Sequence, residues 1–276
     1  MTTDRADGGR TNALFSTNCA SGVRTTAGVP VHSLAVTTED RRSAARTLGI
    51  AWAVLVTGAL ALGWLITGPL SSAVEPRDDR FVRWLASHRT PVLDTAAAVG
   101  SHVADTIVGV GLALVVALVA ARRRRSWRPV VYFTVLVGGY LALYVLVTHL
   151  VPRDRPPVEI LDPGLVPDHS YPSGHMATAI LVYGGIALWT GRVRPGWRRW
   201  TWPLFLVPLV VAPSRLYQGA HHLTDVLASV VLATAWLVVA SRVLLVPRQS
   251  ASTTRATAGS TDDAIVPRTL PPRGSQ

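Results

Sequence analysis

Apolar runs too long for the core of a small soluble domain are the first constraint on this chain. A helix needs roughly 20 apolar residues to cross the hydrocarbon layer of a bilayer. Six runs approach that length: 47–70, 100–121, 129–150, 173–190, 201–214 and 223–245. The fifth is short and carries Pro203, Pro208 and Pro213, which membrane helices tolerate when neighbouring groups satisfy the freed carbonyls. The fold expected is therefore all-α: a polytopic bundle of about six transmembrane helices within residues 44–246. Residues 1–43 and 247–276 are rich in Ser, Thr, Gly and Arg without an apolar period, and are expected to be disordered tails. The first long apolar run starts near residue 47 and is too long for a signal peptide. Cys19, the single cysteine, lies in the first tail, so no disulfide within the chain is expected.

Net charge is +11 and all 27 basic residues are arginine. Such a balance often marks nucleic-acid binding, but the placement argues otherwise. With the N-terminus inside, 20 arginines fall in inner segments: six up to Arg46, five in 122–128, four in 192–199 and five from Arg242 onward. Only Arg77, Arg80, Arg83, Arg89, Arg153, Arg155 and Arg215 fall outside. This is the positive-inside pattern of a multi-pass protein of the cell membrane. It predicts cytoplasmic termini and inner-leaflet contacts with anionic lipid. The partner expected is the lipid bilayer and not nucleic acid. In the outer segment after the first run, Phe81, Trp84 and Leu85 share one helical face, which predicts a short amphipathic helix in the interface. His102 and Asp105, near the start of the second run, are further ionisable candidates.

Three polar stretches fall on the predicted outer face. Residues 214–225 read Ser-Arg-Leu-Tyr-Gln-Gly-Ala-His-His-Leu-Thr-Asp. If helical, positions i and i+4 share a face, so Asp225 is expected to accept a hydrogen bond from His221 and to fix its tautomer. Arg215 brings a planar donor fork suited to phosphate. His222 is read as a bystander. Residues 172–175 read Pro-Ser-Gly-His: Ser173 as a helix N-cap, Gly174 for close approach of an anion to the backbone, and free helix N–H groups to bind it. Residues 153–156 read Arg-Asp-Arg-Pro.

In that order, Arg-Pro, Pro-Ser-Gly-His and Ser-Arg-x5-His-x3-Asp, the chain resembles the type 2 phosphatidic acid phosphatase superfamily, whose tripartite site also occurs in vanadium haloperoxidases. The resemblance covers roughly residues 70–245. It implies that His221 attacks phosphorus to form a phosphohistidine, that Asp225 supports it, and that His175 protonates the leaving group. It implies further that Arg155, Arg215, Ser173 and Gly174 bind phosphate. The first motif departs from the family pattern: Thr148 stands where a lysine is expected, and Arg153 is a candidate to replace its charge, so both join the phosphate-binding set. No metal-ligand cluster or cofactor motif is visible, and neither is expected. The function implied is metal-independent hydrolysis of a lipid phosphate or diphosphate, such as a polyprenyl (undecaprenyl) diphosphate, at the outer leaflet. The alternative is a non-catalytic phospholipid-binding or transport member of the same fold. The sequence leaves the identity of the lipid and the oligomeric state open.

Overall fold

The computed structural model describes residues 38–162, 165 and 169–245. The two expected tails, apart from residues 38–43, lie outside the described residues. The described residues form helices joined by turns and loops, the longest loop lying between residues 150 and 174, with helices α1 (Thr38–Thr67), α2 (Ser71–Ser87), α3 (Pro91–His102) and α4 (Thr106–Arg124) in the first half. There follow α5 (Arg128–Leu150), α6 (Gly174–Val193), α7 (Val207–Tyr217) and α8 (Leu223–Leu245).

Five of these helices, α1, α4, α5, α6 and α8, are long and apolar enough to cross a membrane. Large apolar side chains such as Ile50, Val54, Trp64, Leu114 and Val231 face outward along them, as a lipid-facing surface requires. The fifth expected run, 201–214, is not one continuous helix. Its leg is assembled from short pieces: a four-residue helical turn (Arg198–Thr201), a 3-10 segment (Trp202–Leu206) and α7. Proline at positions 203, 208 and 213 removes backbone donors along this stretch, which explains its division. It nevertheless runs back along α6, with Arg198–Thr201 against the C-terminal half of α6 and α7 against its first turn.

Two other boundaries differ from expectation. The first helix begins at Thr38, so residues 38–43 are helical and not tail; Glu39 and Asp40 in its first turn suit the helix dipole. The second expected run is two helices. A break at Val103–Asp105 separates α3 from α4, and Asp105 caps α4 by accepting from Ile107 N–H at 3.1 Å. The helix expected near residues 75–85 is α2. It buries Asp78 and Val82, with Phe81 and Leu85 half-buried, while Trp84 lies exposed beside Phe81 and His88.

α5 and α6 each widen to a π turn, at Thr134–Gly138 and Ala179–Tyr183. Around the first, the indoles of Trp52 and Trp236 donate to the carbonyls of Gly139 and Leu136 at 2.8 and 2.9 Å. Polar main-chain groups loosened by the wider turn thus stay bonded inside the core. A Cβ on Gly139 would come within 2.6 Å of the Trp236 ring, so glycine there lets α8 approach. The site described next sits at the end of the bundle where α6 and α8 begin and α7 finishes.

Candidate anion site at the helix termini

His221 lies in the turn between α7 and α8, and α8 begins only at Leu223. The expected i/i+4 relation to Asp225 within one helix is therefore not formed. Instead His221 Nδ1 donates to the carbonyl of Ser170 at 2.7 Å, which leaves Nε2 as the lone-pair nitrogen. Burial, and then the Arg215 guanidinium, push the His221 pKa down to about 3, so the ring is neutral at ordinary pH.

Asp225 is spent elsewhere. Its carboxylate accepts from the backbone N–H of His222 at 2.9 Å and pairs with Arg153 Nη1. Arg153 also donates to Thr224 Oγ1 at 2.7 Å and to Asp78 at 2.9 Å. Arg153 is 3% exposed and its Nη atoms are held by two carboxylates, so the charge expected to bind phosphate is already paired, and only its buried Nε has no hydrogen-bond partner among the described residues. Thr148, expected in the same set, is buried in the core, with its hydroxyl turned to the Tyr171 carbonyl at 3.4 Å.

Arg215 is fully buried. Its Nη1 donates to Ser101 Oγ (2.6 Å), Asp162 (2.7 Å) and Gln218 Oε1 (3.0 Å). Its Nε and Nη2 are buried and have no protein hydrogen-bond partner among the described residues. Leaving a buried donor unmade costs about 1–3 kcal/mol, which makes this edge a candidate for a ligand. Ser173 shows the same feature. It is the N-cap of α6 by position, but its side chain makes no cap bond, and its Oγ is fully buried without a protein partner among the described residues. Gly174 opens α6, and a Cβ there would press on the Tyr144 ring at 3.3 Å. Arg155 donates to the Ala220 carbonyl at 2.6 Å, beside His221. His175 stands in the first turn of α6, half-buried, and both it and His221 lie within electrostatic reach of Arg215 and Arg155.

The fold thus brings His221, His175, Arg155, Arg215, Ser173 and Gly174 to one end of the bundle, and leaves Thr148 and Arg153 turned away from it. His102 is exposed, and Asp105 serves as a cap. Sequence reasoning missed Ser101, Asp162, Gln218 and Asp78. Asp78 had a readable signal: with Val82 and Leu85 it lies at i, i+4 and i+7 on an otherwise apolar stripe. His222 is more engaged than expected. Its Nε2 lies 3.3 Å from Asp79 and its Nδ1 3.3 Å from Asp225.

The fold is that of a polytopic helical bundle, and a cluster of arginines and histidines at its helix ends is a candidate anion site. Residues 128–247 match the model of the PAP2 superfamily. The matched stretch contains all three motifs. No curated protein matches the sequence. Among solved structures, the chain is similar to a transmembrane PAP2 type phosphatidylglycerolphosphate phosphatase from Bacillus subtilis. The TM-score is 0.61 at 22% identity, covering 69% of this chain and 94% of that one. At that identity the likeness is one of fold.

Proposed function

We propose that the protein is a lipid phosphatase that hydrolyses a phosphomonoester or diphosphate of a membrane lipid at the outer leaflet, through a phosphohistidine. The observation that carries this reading is the pair of buried, unpartnered donor edges on Arg215 and Ser173, close to a histidine whose Nδ1–H is already committed to Ser170.

In this reading Nε2 of His221 attacks phosphorus. The P–O bond to the leaving oxygen breaks, its electron pair stays on that oxygen, and His175 supplies the proton. Water, deprotonated by His175, then attacks the phosphohistidine; the P–N bond breaks and inorganic phosphate departs. Charge that spreads over the equatorial oxygens is met by Arg215, Arg155, Ser173 Oγ and the first N–H groups of α6. Asp225 acts by holding the His222 backbone and Arg153, and so supports the turn that carries His221.

The positive-inside arginine pattern supports an outer-leaflet site with cytoplasmic termini. A site at the end of apolar helices suits a substrate whose tail stays in the bilayer. The test is phosphate release by detergent-solubilised protein from a panel of lipid mono- and diphosphates in mixed micelles. Wild type is expected to turn over at least one of them, and His221→Ala to be silent. Equal release by both proteins would overturn the proposal.

A further inference from the structure

A path of contacts joins α2 to the ring of His221. Asp78, 4% exposed, accepts from Arg153 Nη2 at 2.9 Å and also from the Thr224 hydroxyl. The main-chain carbonyl of Arg153 accepts from Ser170 N–H at 2.8 Å. The Ser170 carbonyl in turn accepts from His221 Nδ1–H at 2.7 Å. The Ser170 hydroxyl adds a second tie, donating to the Asp154 carbonyl at 2.9 Å. The three motif loops are thereby clipped to one another, and the clip is anchored on a carboxylate that lies outside all of them.

We infer that Asp78 is a positioning residue for the phosphatase reaction: by holding Arg153 it fixes the Ser170 carbonyl, which keeps Nδ1 of His221 protonated and Nε2 aimed at phosphorus. Arg153 sits between two buried carboxylates, Asp78 and Asp225. With Asp78 neutralised, the guanidinium is drawn toward Asp225 alone, and the Arg153 backbone that carries Ser170 follows it. Asp78 touches neither substrate nor the reacting atoms. Its effect falls on the chemical step and not on substrate binding, because the anion-binding edges of Arg215 and Ser173 lie outside the path.

The inference rests on the phosphatase reading for its kinetic arm, and a second arm is independent of it. In the first, Asp78→Asn is expected to lower kcat about tenfold or more with KM nearly unchanged, since displacement of a reacting group by a fraction of an ångström to 1 Å is worth up to ~100-fold. Asp78→Glu, which keeps the charge, recovers most of kcat. Arg80→Gln, exposed on the same helix, leaves it unchanged. A fall in Tm with kcat intact, or a change confined to KM, would overturn the inference. In the second arm, 15N-histidine NMR with His221→Gln for assignment reads the tautomer directly. Wild-type His221 is expected to be Nδ1-protonated, and Asp78→Asn to mix the tautomers. An unchanged His221 signal in Asp78→Asn sinks the inference even if no lipid phosphate is turned over, an outcome that would separately overturn the proposed function.

Discussion

Arg215 divides its guanidinium between two tasks. Nη1 is held by Ser101, Asp162 and Gln218, while Nε and Nη2 keep a donor edge that the proposed function gives to phosphate. A lysine has one nitrogen and cannot do both. Arg215→Lys is therefore expected to fold but to lose about 100-fold or more in kcat/KM, the scale seen when one oxyanion donor is removed; steady-state kinetics on the best lipid phosphate checks it. His221 carries a prediction of opposite character. Because burial and Arg215 hold its pKa at about 3, His221 stays neutral across the range from about pH 5 to 8, as the proposed attack on phosphorus requires. The rate of phosphohistidine formation should show no acid limb near the ordinary histidine value that belongs to this residue, and rapid-quench measurements across that range would reveal one. At this scale the motif identities were legible, and the contacts were not. His221, Arg155, Arg215 and Ser173 all lie at the end of the bundle where α6 and α8 begin. The partner of His221 did not follow, because a main-chain carbonyl leaves no residue type to recognise. Thr148 and Arg153 were read as phosphate binders from their places in or near a motif, and the contacts of their donors with Tyr171 and with two carboxylates could not be read there.

The element that joins α7 to α8 depends on one backbone position. Gly219 has φ +71°, and a Cβ there would meet Val158 at 2.6 Å and the Glu159 carbonyl at 3.0 Å. Gly219→Ala is expected to destabilise the protein by roughly 1–3 kcal/mol, the cost of strain at such a position, and to move His221 with it; a lower Tm together with a lower kcat would be the signature. Among the helices, those with uninterrupted apolar runs were readable nearly to the residue: α5 and α8 begin or end where expected. α7 was foreseeable only in part. Its prolines announced an irregular leg but not where the backbone would change from 3-10 to α geometry. The separation of α3 from α4 was hidden because Asp105, near the start of a long apolar run, caps α4 instead of continuing the helix from residue 100.

For the whole molecule, the arginine distribution gives a direct expectation. Reporter fusions at residue 247 should be active only for a cytoplasmic reporter, and an insertion after Arg89 only for an extracytoplasmic one; the reverse result would place the site on the inner leaflet. Turnover should persist in EDTA, because guanidinium groups and helix N–H donors supply the positive charge at the site. Acid should loosen the fold through His221. Its ring binds a proton below about 6.5 when unfolded but only near 3 when folded. Its contribution is thus present above the unfolded value and is lost as pH falls toward the folded one; thermal melts from neutral pH down to about 4 would register the decline. The tie between His221 and the Ser170 carbonyl also has an evolutionary corollary. A main-chain acceptor survives replacement of the side chain it belongs to, so drift at position 170 is free to alter the hydroxyl without erasing the anchor of His221. What selection must guard there is the course of the polypeptide, and residue identity alone would not disclose that restraint.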